Sequence, residues 1–203
     1  MKLYATPLSH FSRKIRLLFD FYGVAYESID VGNVAQADAA KFAGNPVMRV
    51  PVLVDGATWM LESDHIAGYL VGKVDPQDRF HVLTRDAPTL NARAMLNAVM
   101  SEEVKVIIAR RTEVPTEKYV FFDKALKMIE GGLAWLEANA SVFNTDHPRY
   151  LEFHLVCAWD HLEYYELVPL EYPRLRALCE TISRDERVRK SSPNVMKPKG
   201  AMK

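Results

Sequence analysis

The chain has 203 residues, 49% of them hydrophobic and 26% charged, which leaves room for one large globular domain or two small ones. Lys+Arg and Asp+Glu are 26 each, and basic groups are short, as in Arg13-Lys14-Ile15-Arg16 and Arg110-Arg111. This argues against nucleic acid as a main partner. The opening residues lack a signal peptide's apolar segment and no run approaches about eighteen apolar residues, so a cytoplasmic protein without a membrane span is expected. Cys157 and Cys179 are the only cysteines and form no CxxC, so they are expected to be buried free thiols.

Lys2–Ala5 is predicted as a short strand, broken by Thr6-Pro7-Leu8-Ser9-His10 and followed by a helix over Phe11–Tyr22. Ile15, Leu18, Phe19 and Tyr22 recur at helical spacing as one buried stripe, with Arg13, Lys14 and Asp20 mostly off it, and Gly23 stops the helix. Tyr26–Asp30 alternates as a second strand. Strand, helix and strand at this length predict a βαβ unit with a parallel pair. Gly32–Gly44 is alanine-rich and reads as a short, irregular helix.

Two apolar runs, Val50–Val54 and Thr58–Leu61, flank Asp55-Gly56, a pair that can take positive φ and favours a two-residue hairpin turn. Pro51 cannot donate to a ladder and forces Val50 extended, which leaves the N–H and C=O of Val50 for some other backbone. Glu62-Ser63 falls where the second run ends and a helix over Ser63–Val74 begins, with Ile66 and Leu70 inward. There Ser63 can cap the helix and free N–H groups can hold a carboxylate. An open strand edge beside an anion-binding helix start suits a small peptide with charged ends.

The first module therefore runs βαβ-α-ββα over residues 1–75. The polar Asp75-Pro76-Gln77-Asp78-Arg79 opens a linker over 76–86, and 87–203 reads as all-helical. Helices are predicted over Leu90–Arg111, ended by Val114-Pro115, and over Glu117–Asn139, with Phe121, Ala125, Met128, Ile129 and Leu136 on one side. Two more follow over Pro148–Tyr165 and Pro173–Arg184, and Met196–Lys203 is expected to fray. Trp135 and Trp159 read as core, and Glu102-Glu103 and Arg110-Arg111 as solvated charges. His65, His81, His147, His154 and His161 show no ligand spacing with a third donor, and His154 and His161 read as helix-surface or packing residues. No metal is expected.

Three segments, in this order and spacing, resemble the cytosolic glutathione transferases of serine type, bacterial-like. They are Ser9-His10-Phe11-Ser12-Arg13-Lys14-Ile15-Arg16-Leu17, then Asn45-Pro46 with Val50-Pro51-Val52-Leu53, then Leu61-Glu62-Ser63-Asp64-His65-Ile66-Ala67-Gly68-Tyr69-Leu70. The resemblance is sharp over residues 1–75 and architectural beyond. It implies an α/β thioredoxin-like N-terminal domain followed by an all-α helical C-terminal domain, a cis proline at Pro51, and a homodimer. Met48 stands where the family commonly has glycine and Arg49 where lysine or glutamine is common. Ala5 stands where tyrosine-type members carry their catalytic residue, which excludes that mechanism. The family's Ser/Thr-x-x-Asp capping box falls on Arg149 and Glu152, so Asp146 is the expected cap of that helix.

The resemblance further implies that Ser9 donates a hydrogen bond to the sulfur of glutathione; on its own, Ser9 reads equally as a helix cap. Ser12, one turn in, is the runner-up and is expected to face away. Arg49, Val50, Pro51, Glu62 and Ser63 would bind glutathione, with Glu62 and Ser63 at the γ-glutamyl end, the Val50 main chain on the cysteinyl part and Arg49 on the glycine carboxylate. Glu62 and Ser63 could instead only cap, and Arg49 could be a solvated charge. Leu8, His10 and Phe11 would line the electrophile pocket opposite Met100–Ile107, His10 as a wall rather than an acid or base. The implied activity is a glutathione-dependent transferase acting on a small electrophile in detoxification, with glutathione as co-substrate. The alternatives are a non-catalytic binding or scaffold protein and a thiol–disulfide oxidoreductase, the latter disfavoured because Ser9 and Ser12 stand where a CxxC would be.

Overall fold

In the computed structural model, which describes residues 1–197, strand β1 (Lys2–Ala5) pairs in parallel with β2 (Glu27–Asp30), from Lys2 opposite Glu27 to Ala5 opposite Asp30. Helix α1 (His10–Tyr22) connects them, as the predicted βαβ unit requires. Gly23 ends α1 at φ 67°. Its N–H donates to the Asp20 carbonyl and that of Val24 to Phe19, a pair of bonds that a left-handed residue after the helix permits.

Helix α1 is buried more widely than its apolar spacing predicts. Ile15, Leu18 and Phe19 are buried, but so are Ser12, Arg13, Lys14 and Arg16, while Tyr22 is only half-buried. The cations tolerate burial because each has acceptors. Arg13 donates to the Val188 carbonyl at 3.0 Å and to Ser191 Oγ at 2.9 Å, Lys14 to Asp64 Oδ1 at 2.8 Å, and Arg16 to the carbonyls of Thr6 and Pro7 at 3.0 and 2.9 Å.

The expected irregular helix is a single 3-10 turn, Ala39–Phe42, started by Asp38 accepting from the Ala40 N–H and anchored by buried Phe42. Strand β3 (Val52–Asp55) begins later than the apolar run suggested. It pairs antiparallel with β1 and with β4 (Thr58–Leu61), giving the order β2-β1-β3-β4. Asp55 pairs with Thr58, so the turn residues are Gly56, at φ 60°, and Ala57 rather than Asp55-Gly56. Asp55 stays in the ladder because its carboxylate is held by the Tyr69 hydroxyl at 2.9 Å and by Lys73. Both belong to α2 (Ser63–Val74), which buries Ile66, Ala67, Leu70 and Val71. The predicted linker folds into turns on its own carboxylates: Asp75 accepts from the Arg79 N–H, and Asp78 from those of Val82 and Leu83.

The chain divides into two compact units, Met1–Leu83 together with residues from Glu186 onward, and Thr84–Asp185. The second has no strand among the described residues and consists mainly of α3 (Ala87–Arg111), α4 (Val120–Ala138), α5 (Tyr150–Tyr165) and α6 (Pro173–Ile182). Asp86 caps α3, accepting from the Thr89 N–H at 3.0 Å and its hydroxyl at 2.7 Å. Helix α4 starts later than expected, after a 3-10 turn at Thr116–Lys118. Its buried stripe is Ala125, Ile129, Gly132, Leu133 and Leu136, whereas Phe121 and Met128 are 59% and 42% exposed. Gly132 decides this, because a Cβ there would lie 2.6 Å from Val99 Cγ2, so the bare position turns that face of α4 onto α3.

Asp146 is not the cap of α5. Glu152, fully buried, accepts from the N–H groups of Arg149 at 2.7 Å and Asn144 at 2.8 Å, and Arg149 neutralises it through its guanidinium at 3.0 Å. Trp159 is buried and Trp135 half-buried. Glu102 and Glu103, expected to be solvated, are both buried: Lys105 reaches Glu102 at 2.6 Å and His161 Nδ1 lies 3.1 Å from Glu103. His154 packs beside Asn97 at 3.0 Å, and Cys157 and Cys179 are buried thiols outside any disulfide. The first unit regains the chain at α7 (Glu186–Lys190), which lies on α1 through Arg13 and through Arg187 over the Phe21 ring at 3.6 Å, and α8 (Pro193–Met196) follows. Of the end expected to fray, Met196 closes α8, and residues 198–203 lie outside the described residues.

Candidate active site

The strand register gathers the motifs. Tyr4, Val52 and Leu61 lie side by side on β1, β3 and β4. The chain therefore leaves β1, enters β3 and leaves β4 at the same end of the sheet. With strands about 4.8 Å apart, the segments carrying Ser9, Arg49–Pro51 and Glu62–Ser63 spring from within about 10 Å of one another.

At the first of these, Ser9 is the N-cap of α1 with extended backbone, φ −61° and ψ 115°. Its Oγ accepts from the Ser12 N–H at 3.1 Å and from the Ser12 hydroxyl at 3.0 Å, and its own N–H donates to the Thr6 carbonyl at 3.2 Å. The capping reading of Ser9 is thus realised. Ser12 does not face away; it is buried against Ser9. Arg16 grips the Thr6 and Pro7 carbonyls and so fixes the loop that delivers Ser9 to the helix mouth. Beside it Leu8 and His10 are buried and Phe11 is partly exposed, with the His10 and Phe11 rings edge-on at 4.7 Å.

The second segment is shaped by Asn45. Buried to 1% exposure, it accepts from the Val47 N–H at 3.0 Å, donates to the Arg49 carbonyl at 3.0 Å, and takes the Met48 N–H on its own carbonyl. This Asx turn carries Met48 at φ 48° and leads into the Val50-Pro51 bond, which is cis. Arg49 is exposed without a partner among the described residues, and the N–H and C=O of half-buried Val50 make no hydrogen bond there.

The third segment corrects the expected cap. Glu62, exposed at φ 64°, precedes α2 and makes no side-chain capping bond, and Ser63 is the first helical residue rather than the cap. The first bond of the helix is Ile66 N–H to the Glu62 carbonyl, so the N–H groups of Ser63 and His65 find no acceptor among the described residues. Ser63 is 2% exposed and its hydroxyl is likewise unpartnered. A helix start in this state attracts anions. Asp64 would oppose that attraction, but fully buried Lys14 offsets its charge at 2.8 Å. Lys14, Arg16 and Asn45 had no role assigned from the motifs, and Ser12 stood only as the runner-up to Ser9. Of these only Asn45 left a signal, since Asn-Pro commonly starts a turn.

Residues 3–77 match the family model described as glutathione S-transferase, N-terminal domain. No curated protein matches the chain. Among solved structures it is similar to a glutathione transferase family member from Pseudomonas fluorescens with bound glutathione (TM-score 0.80, 24% identity, 95% of this chain and 98% of that one). It is also similar to a glutathione S-transferase from Methylobacterium radiotolerans in complex with glutathione sulfonate (TM-score 0.79, 16% identity, 95% and 94% covered). A third is a maleylacetoacetate isomerase from Anaeromyxobacter dehalogenans with glutathione in its active site (TM-score 0.71, 25% identity, 96% and 95% covered). These structures share the fold along nearly the whole chain, and the match over residues 3–77 adds the sequence signature of the thioredoxin-like domain. Residues 3–77 thus carry the glutathione S-transferase N-terminal domain, and the chain as a whole has the fold of the glutathione transferases it is similar to.

Proposed function

We propose that the chain is a serine-type, glutathione-dependent transferase in which Ser9 donates a hydrogen bond to the glutathione sulfur. The observation that carries this is the coincidence, at one end of the sheet, of a serine hydroxyl with the Val50 main chain, the Arg49 guanidinium and the start of α2, none of them satisfied among the described residues. The tripeptide's cysteinyl backbone pairs with Val50 ahead of Pro51, its γ-glutamyl carboxylate meets Ser63 and the first N–H groups of α2, its amino group meets Glu62, and its glycine carboxylate meets Arg49.

A cysteine-like thiol of pKa ~8.5 is about 3% ionised at pH 7, and lowering it by roughly 2 units raises this to about 75%. A hydroxyl bond to a charged acceptor gives roughly 1.5–3 kcal/mol and a helix N-terminus about 0.3–1, together matching the required ~2.7. The thiol proton passes to solvent. The thiolate then forms a C–S bond with an electrophilic carbon while a leaving group departs with its electron pair. In the isomerase neighbour's class of reaction, the same thiolate would add to an activated double bond and later leave. Leu8, His10 and Phe11 form the proposed wall facing the electrophile, and the enzyme acts as a cytoplasmic homodimer in detoxification.

Calorimetric titration of the protein is expected to show glutathione binding; none at millimolar concentration removes the reading. Ser9→Ala should keep that binding and lose turnover about 100-fold, corresponding to ~2.7 kcal/mol in the transition state. Unchanged turnover would move the chemistry away from Ser9. Binding without conjugation or isomerisation across a broad electrophile panel would instead identify a scaffold protein.

A further inference from the structure

We infer that Ser12 is a positioning residue that aims and strengthens the Ser9 hydroxyl, an inference that rests on the proposed role of Ser9. A serine hydroxyl has one O–H to give and two lone pairs with which to accept. Both acceptor places on Ser9 Oγ are taken by Ser12, one by its backbone N–H at 3.1 Å and one by its hydroxyl at 3.0 Å. The Ser9 proton is then the only bonding capacity left on that oxygen, and it has to point away from the helix, to whatever stands at its mouth.

The backbone of Ser9 is already fixed from the other side. Its N–H is bonded to Thr6, and Arg16 holds the carbonyls of Thr6 and Pro7. What remains free is the rotation of the Ser9 hydroxyl, and Ser12 removes it. A serine inside a helix ordinarily gives its proton to a carbonyl one turn back. Fully buried Ser12 gives it to a side chain instead. In a chain of the form Ser12 O–H to Ser9 O–H to sulfur, each donated bond polarises the next, so the thiolate is met by a stronger donor than an isolated serine.

The test uses the full chain with glutathione and reads the ionisation of the bound thiol by its ultraviolet absorbance across pH. Ser12→Ala keeps the helix and the backbone N–H bond to Ser9. It is expected to bind glutathione as the parent does while raising the apparent thiol pKa by about one unit, which lowers turnover about threefold at pH 7. The two rates should converge above about pH 9, where the thiol ionises unaided. Ser12→Thr, which retains the hydroxyl, should restore the parent profile, an outcome that a merely structural role for Ser12 does not produce. Ser12→Cys keeps the volume but donates weakly and should shift as Ser12→Ala does, which covers the case in which the alanine variant misfolds. If Ser9→Ala raises the thiol pKa but neither Ser12→Ala nor Ser12→Cys does, the inference about Ser12 is overturned and the reading of Ser9 stands. If Ser9→Ala also leaves the profile unchanged, or the parent binds no glutathione, both fall.

Discussion

Met48 sits in the left-handed region at φ 48°, where an L-residue crowds its own backbone at a cost of about 1–2 kcal/mol. Asn45 holds it there through the Met48 N–H, because the loop must turn before the Val50-Pro51 bond. Met48→Gly should relieve the crowding. After the extra chain entropy of glycine is set against it, a gain of about 0.5–1 kcal/mol remains, seen as a rise in Tm of about 1–4 °C. An unchanged or lower Tm would mean that the methionine side chain contributes packing of equal size. The sequence showed that position 48 departs from a glycine pattern, but not why glycine suits it. At this scale the positions of Ser9, Val50, Glu62 and Ser63 at strand or helix boundaries were legible. Ser12, Arg16 and Lys14 were not, because their work is defined by partners up to 50 residues away, as for Lys14 with Asp64.

Helix elements were legible from spacing wherever one apolar neighbour dominates, and less so where a small residue decides the contact. Helix α4 illustrates the second case: Phe121 and Met128 have the right character for a core and face outward, because bare Gly132 lies against Val99 of α3 with no room for a Cβ. The adjacent glycines should therefore respond oppositely to alanine. At exposed Gly131 a Cβ meets nothing within 4 Å, so Gly131→Ala should stabilise by about 0.5–1 kcal/mol through helix propensity. At Gly132 the new methyl would strike Val99, a buried β-branched residue with one preferred rotamer in a helix, so Gly132→Ala should cost a net 1–2 kcal/mol, roughly. Urea denaturation of the pair checks the sign of each. The cap of α5 teaches the same lesson: Arg149 looked like the loss of a capping box, yet its backbone N–H and guanidinium both serve Glu152.

For the molecule as a whole, the helical remainder after the thioredoxin-like domain followed from the change in pattern after residue 75, but the return of the chain's last helices to the first unit did not. No apolar run marks that return; it is made by Arg13 and Phe21 meeting Val188, Ser191 and Arg187. The tyrosines give the fold a pH limit. Burial, reinforced by Asp75 and Asp78, pushes the Tyr22 phenol well above its ordinary range, and burial likewise raises Tyr26, Tyr165 and Tyr172. A raised folded pKa means that above pH ~10 the unfolded chain sheds protons that the folded one retains. Stability is therefore complete below that pH and falls as pH rises through it. Urea midpoints measured from about pH 9 to 11 should decline, and the decline should be shallower for Tyr22→Phe; equal slopes would remove Tyr22 from the account.

The acceptors on which Arg13 rests arrive 175 residues after it, at Val188. At about 5–20 residues per second a ribosome takes roughly 9–35 s to cover that distance. The uninterrupted stretch Thr84–Asp185 is meanwhile complete, so in the nascent protein the half made second is free to fold before the half begun first can close.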